Sequence, residues 1–228
     1  MNTTAGARLA LCSGERFATQ QSLAECSAIL IDENVAITAA HCLDTVNDCR
    51  DFSYLLGYHL NESETLVDEP GTRTLECSGV VFARRDELDF AVLFLRPAGP
   101  EITINPRIHI GQGEPIVNIS AGLGLPLKVS DGYVLEQMTT TQFRFRADVY
   151  RGGSGSGLFD RSGHLVGMVI GGEQDFRVDG NCRKTNHIVG DASIRGDAGM
   201  PAEEATAILP ILQALCSALP SRPICNTL

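Results

Sequence analysis

Three short stretches of the sequence carry residue types that together could break an acyl bond. Within Arg151 to Gly172, the run Gly152-Gly153-Ser154-Gly155-Ser156-Gly157 is too glycine-rich for a helix interior or a packed strand. It reads as a tight turn whose backbone approaches a ligand, with the Ser154 hydroxyl exposed at its tip. The amides of Gly152 and Ser154 can converge there as donors to a developing oxyanion. A glycine and serine run alone is more often a linker, so two further stretches matter. Thr38-Ala39-Ala40-His41-Cys42 supplies an imidazole after the apolar stretch Ala28 to Ile37. Asp89 stands in Leu88-Asp89-Phe90-Ala91-Val92-Leu93-Phe94-Leu95, an apolar run that should be a buried strand. An unpaired carboxylate is costly there and needs a partner. Singly, His41 reads as a satisfied core histidine and Asp89 as a strand-end surface acid. In the order His41, Asp89, Ser154 they supply a base, an orienting acid and a nucleophile.

The elements that must position these groups are short apolar runs separated by turn residues: 27–39, 52–56, 79–83, 90–95, 116–119, 132–138, 141–149 and 165–170. That pattern reads as an all-β chain. Residues 96–115, with Pro97, Pro100, Pro106 and several glycines, read as a crossing between halves. The segment Pro201 to Cys216 has proline at a first helical position, Glu203 and Glu204 in the first turn and apolar Ile208, Leu209, Ile211, Leu212 and Leu215. It reads as a helix packed on the second half, kinked or divided by Pro210.

The segments CSAILIDENVAITAAHC, DFAVL and GGSGSG occur in order within residues 24 to 195. With them the chain resembles the secreted serine endopeptidases of the chymotrypsin/trypsin clan, and its short turns and SGS region are most similar to the bacterial, glutamyl-endopeptidase-like branch. The resemblance implies two six-stranded antiparallel β-barrels and a C-terminal helix. Residues 1–110 would form the barrel with His41 and Asp89, and residues 111–228 the barrel with the Ser154 turn, the specificity pocket and the helix. It implies His41, Asp89 and Ser154 as catalytic residues, Gly152 and Ser154 as the oxyanion hole, and a Cys26 to Cys42 disulfide. Two departures stand out. Gly153 replaces the usual aspartate or asparagine before the serine, and Gly157 replaces a proline or alanine.

For specificity, the resemblance places Asp148 at the base of the primary pocket and Gly172 and Gly190 along its walls. Val169 stands where glutamate-specific relatives carry a histidine. Cleavage after Arg or Lys is therefore expected, with glutamate or apolar preference as alternatives. A different class of reading is a protease-like binding protein without catalysis, motivated by a flexible Gly153 that lets the 152–153 peptide flip. With glycine at 153 the acid that pairs with a freed amino terminus in animal trypsin-like enzymes is missing, so the oxyanion hole should need no such insertion.

Composition bounds the partners. A net charge of −10 over 228 residues, with no basic patch, makes nucleic acid or an anionic membrane an unsuitable partner. Protein or peptide substrates are expected, and protein protease inhibitors after them. No stretch is long and apolar enough to span a bilayer, and the opening residues lack the apolar core of an export signal, which reads as a mature form. Eight cysteines without a zinc-like CxxC pair favour disulfides and a secreted or periplasmic location. Cys216 and Cys225 flank a short proline-containing tail and could close on each other. Cys12, Cys49, Cys77 and Cys182 have no assigned partner. The loop from Asn61 to Glu69 carries Glu62, Glu64, Asp68 and Glu69, an oxygen set that calcium could use. It reads rather as a solvated acidic loop, and neither metal nor other cofactor is expected.

Overall fold

The computed structural model describes residues 3–43, 48–61, 73–99, 104–186 and 202–228. A short helix α1 (Ala5–Leu9) is followed by strands β1 (Ile29–Asp32), β2 (Val35–Thr38), β3 (Ser53–Leu56), β4 (Arg73–Arg84) and β5 (Phe90–Arg96). These five strands form one antiparallel sheet in the order β1-β2-β5-β4-β3. The sequence of β5, FAVLFLR, is almost continuously apolar because it lies between β2 and β4 with both faces covered. Edge strand β3 instead alternates exposed and half-buried residues.

The second sheet comprises β6 (Pro115–Ser120), β7 (Lys128–Gln137), β8 (Gln142–Arg146), β9 (Gly157–Phe159), β10 (Leu165–Gly171) and β13 (Glu203–Ala207). They close into a barrel in the order β10-β13-β8-β7-β6-β9, which leaves no edge to pair elsewhere. In β6 and β8 burial alternates, so Ile116, Asn118, Ser120, Phe143 and Phe145 point inward. A separate hairpin, β11 (Phe176–Asp179) and β12 (Cys182–Thr185), stands beside the barrel. Of the two six-stranded barrels expected, the second is closed with six strands, whereas the first is a five-stranded sheet among the described residues.

The C-terminal helix α2 spans Ile208–Ala218. The helix expected from Pro201 thus begins later, because residues 203–207 are claimed by hydrogen bonding to β8 on one side and β10 on the other. Pro210 divides nothing. It is the third helical residue, where a backbone amide has no intrahelical acceptor to lose. Ile208, Ile211, Leu212 and Leu215 form one fully buried stripe. They pack in a cluster with Ile29, Val35, Ile37, Phe90 and Val92 of the first sheet and Leu165 and Met168 of the barrel, so α2 bridges both sheets. Each such side chain contributes roughly 1.5–3 kcal/mol by leaving water.

Four disulfides are present: Cys12–Cys182, Cys26–Cys42, Cys49–Cys77 and Cys216–Cys225. The first ties the N-terminal segment to β12. No helix among the described residues is long and apolar enough to cross a membrane.

Candidate active site

The pairing of neighbouring strands brings His41 and Asp89 together. Strand β2 ends at Thr38, opposite Ala91 of β5, and a single 3-10 turn, Ala40–Cys42, then carries His41 past the strand end. Ala39 and Ala40 are fully buried, so only small side chains fit beneath the turn. Asp89 immediately precedes β5. Its Oδ2 lies 2.5 Å from His41 Nδ1, and its Oδ1 accepts the His41 amide at 2.9 Å. With a carboxylate as acceptor, Nδ1 carries the ring proton and Nε2 is left as a base. The arrangement costs backbone energy: Asp89 has φ +39°, a left-handed conformation that aspartate tolerates better than most residues. Its neighbours hold it there. Ala40 N donates to Asp89 O at 3.3 Å, and the buried Thr206 hydroxyl of β13 donates to Leu88 O at 2.5 Å, joining the barrel to the acid's own turn.

The nucleophile turn is pinned at both ends. Ser27 N donates to Ser154 O at 2.9 Å, and Gly155 N to Val169 O at 2.8 Å. Gly152 and Gly155 have φ of +88° and +85°, which explains their identity. A Cβ at 155 would stand 2.1 Å from Ser27 O. The two departures from the family pattern have steric causes. A Cβ at Gly153 would come within 2.5 Å of Val149 Cγ1, and one at Gly157 within 2.7 Å of the Phe159 ring.

Peptide planarity then fixes where two amides point. The Arg151 carbonyl accepts from Leu123 N at 2.7 Å, so the Gly152 N–H on the same planar unit faces the other way. The Gly153 carbonyl accepts from Ser156 N at 2.9 Å, which turns the Ser154 N–H away in the same manner. Neither amide donates to another backbone group among the described residues. The next peptide is held too: the Ser27 hydroxyl donates to Gly152 O at 2.9 Å while accepting from Ala121 N at 3.0 Å. Of the two serines in the turn, Ser154 is half-buried, whereas Ser156 is 1% exposed and accepts from Asn118 Nδ2 at 2.8 Å.

A pocket of about 710 Å³ adjoins this turn, lined by Asp148, Val149, Tyr150, Asp175, Glu203 and Arg16 among others. Asp148 is among its lining residues, its Oδ2 lies 2.6 Å from Arg16 Nη1 of the N-terminal segment, and both side chains are exposed. Gly172 also lies beside the pocket, in contact with Glu203: a Cβ there would overlap the Glu203 carboxylate, 1.7 Å from Oε2. Burial pushes the Glu203 carboxyl up to about 8, reinforced by the charges of Asp175, Glu173 and Glu204. Burial also raises Asp175, whose Oδ2 accepts Arg151 N at 2.7 Å. Gly190 and the acids of 62–69 lie outside the described residues. Sequence reasoning missed Ser27, Arg16, Asp175 and Glu203. Only Glu203 carries a signal in the sequence, that of a helix first turn. Cys26, His41 and Cys42 crowd together in the manner of a metal set, but the disulfide consumes both thiols.

The family model of the trypsin-like peptidase domain matches residues 26–168, which include His41, Asp89 and Ser154. The chain belongs to that family. Among solved structures, this trypsin-like peptidase is similar to Rv3671c from M. tuberculosis H37Rv, in the inactive form of a serine-to-alanine mutant. The TM-score is 0.52 at 14% identity, over 90% of this chain and 84% of that one. At that identity the likeness shows the fold, which is chymotrypsin-like. No curated protein matches the sequence.

Proposed function

We propose that this trypsin-like peptidase is a secreted or periplasmic serine endopeptidase that cuts proteins and peptides after Arg or Lys through Ser154, His41 and Asp89. The observation that carries the reading is the 2.5 Å contact between His41 Nδ1 and Asp89 Oδ2, in a chain whose serine turn directs two amides outward. His41 Nε2 takes the Ser154 proton as the hydroxyl attacks the scissile carbonyl, and Asp89 stabilises the imidazolium that forms. The Gly152 and Ser154 amides receive the oxyanion. His41 then protonates the leaving amine. Water repeats the attack on the acyl-enzyme, with His41 again the base.

The acids of the adjoining pocket support a cationic side chain in the substrate and would repel a carboxylate. The inactive reading rested on a freely flipping peptide at Gly153. The hydrogen bonds from Ser27 Oγ to Gly152 O and from Gly153 N to Tyr150 O, at 2.9 and 2.8 Å, count against it. A peptide-library cleavage profile tests the proposal. Dominant cutting after Arg or Lys, abolished by Ser154→Ala, supports it. A preference for glutamate or large apolar residues would defeat the specificity, and persistence in Ser154→Ala the mechanism.

A further inference from the structure

Resting on the serine-endopeptidase reading, we infer that Glu203, and not Asp148, is the carboxylate that meets the cationic side chain of the substrate. The two acids stand differently. Asp148 is half-exposed, with its charge already matched by Arg16 at 2.6 Å. A substrate cation gains little there, because it must displace a cation to bind.

Glu203 is the first residue of β13, and Gly171 of β10 pairs with the next residue, Glu204. This register lays the Glu203 side chain against Gly172, where the absence of a Cβ is what gives the carboxylate room. It is mostly buried in the pocket wall and makes no ion pair among the described residues. The charged groups around it come from every side of the pocket. Asp175 and Glu173 follow β10, Glu204 shares its strand, Arg146 extends from β8 and Asp131 from β7, and Glu15 and the Asp148–Arg16 pair come from the remaining walls. Asp175 is itself engaged by the Arg151 amide. A desolvated carboxylate beside other acids is held protonated until a counter-charge arrives. A guanidinium or ammonium entering the pocket supplies that charge, so binding and loss of the Glu203 proton occur together. A glutamate side chain beside Glu203 would face the Glu203, Glu173 and Asp175 carboxyls and is disfavoured.

The test compares Glu203→Gln, Glu203→Asp and Asp148→Asn with the unaltered protein, each variant checked by thermal melting. The readout is the kcat/KM ratio between an Arg-site peptide and the same peptide with Ala at that site. Glu203→Gln should lower the ratio about 100-fold, Asp148→Asn by less than about 10-fold, and Glu203→Asp should retain a preference for arginine. Loss of the preference in Asp148→Asn with retention in Glu203→Gln overturns the assignment. So does equal loss in Glu203→Asp and Glu203→Gln, which would show shape rather than charge at work. Benzamidine binding gives a readout independent of turnover. Its affinity should fall as pH drops from about 9 to about 6, because Glu203 must release its proton, and that dependence should vanish in Glu203→Gln. A flat profile in the unaltered protein overturns the inference. If the unaltered protein reacts with a fluorophosphonate yet shows no preference for Arg or Lys, this inference alone fails. If it does not react, the serine-endopeptidase reading fails and this inference with it.

Discussion

Replacing Ser27 by alanine should separate the fold of the oxyanion turn from its chemistry. Ser27 stands at the head of the segment that ends in His41 and Cys42, and its buried hydroxyl accepts from Ala121 N at 3.0 Å and donates to Gly152 O at 2.9 Å. Alanine removes both bonds and strands the amide of Ala121, itself only 7% exposed. A buried donor left without a partner costs about 1–3 kcal/mol. For a chain of this length each kcal/mol lowers Tm by roughly 2–4 °C, so a fall of roughly 2–12 °C is expected. The catalytic effect has a different origin. With Gly152 O released, the turn can rotate, and the loss is bounded by removal of one oxyanion donor, about 10²–10³ in kcat. Because the Ser27 amide still holds Ser154 O, a partial effect of about 10- to 100-fold in kcat is expected, with KM little changed. Differential scanning calorimetry and steady-state kinetics on an Arg-site peptide measure the two parts. A lowered Tm with kcat intact would refute the claim that Ser27 positions the oxyanion turn. An unchanged Tm would refute the hydroxyl bridge itself.

Asp89→Asn should leave the strand ends in place but present an amide to His41 Nδ1, favouring the wrong tautomer. A fall of about 10⁴ in kcat with a near-native melting curve is expected. Ser156→Ala should retain most activity while losing about 1–2 kcal/mol in a urea titration, since Asn118 Nδ2 keeps Gly157 O at 3.1 Å as a partner. The folded-state Glu203 carboxyl sits at about 8 against an ordinary 4.5. Between those values the folded chain holds a proton that the unfolded chain has lost, so this group's contribution falls as pH rises through that window. Glu203→Gln should therefore raise Tm relative to the parent at pH 9 and change it little at pH 4, and the reverse order would contradict the burial argument. In the chain-entropy model the Cys12–Cys182 bridge, 170 residues apart, is worth up to about 5 kcal/mol, and Cys216–Cys225, 9 apart, about 3. Paired serine substitutions should rank in that order by chemical denaturation.

What could be read from the sequence was local. The glycine turn, the histidine after an apolar strand and the acid before another were visible because each needs only a few adjacent residues. The Cys26–Cys42 bridge followed from the resemblance, and the 216–225 bridge from nearness in the chain. What was hidden depends on partners far away. Glu203 and Glu204 resemble a helix start until β8 and β10 pair on either side of them. Arg16 and Asp148 are 132 residues apart, and nothing in either neighbourhood signals their contact. The Cys12–Cys182 bridge that holds Arg16's segment beside the pocket is equally non-local. The resemblance places Asp148 at the pocket by its position six residues before Ser154, which carries no sign of the Arg16 charge that faces it.

Covalent labelling with a fluorophosphonate, followed by mass spectrometry of the peptide spanning Arg151 to Arg161, tests the central claim most directly. A single adduct on Ser154 is predicted, absent in Ser154→Ala and slowed by several orders of magnitude in His41→Ala. An adduct on Ser156, or labelling that His41→Ala leaves at full rate, would contradict the account.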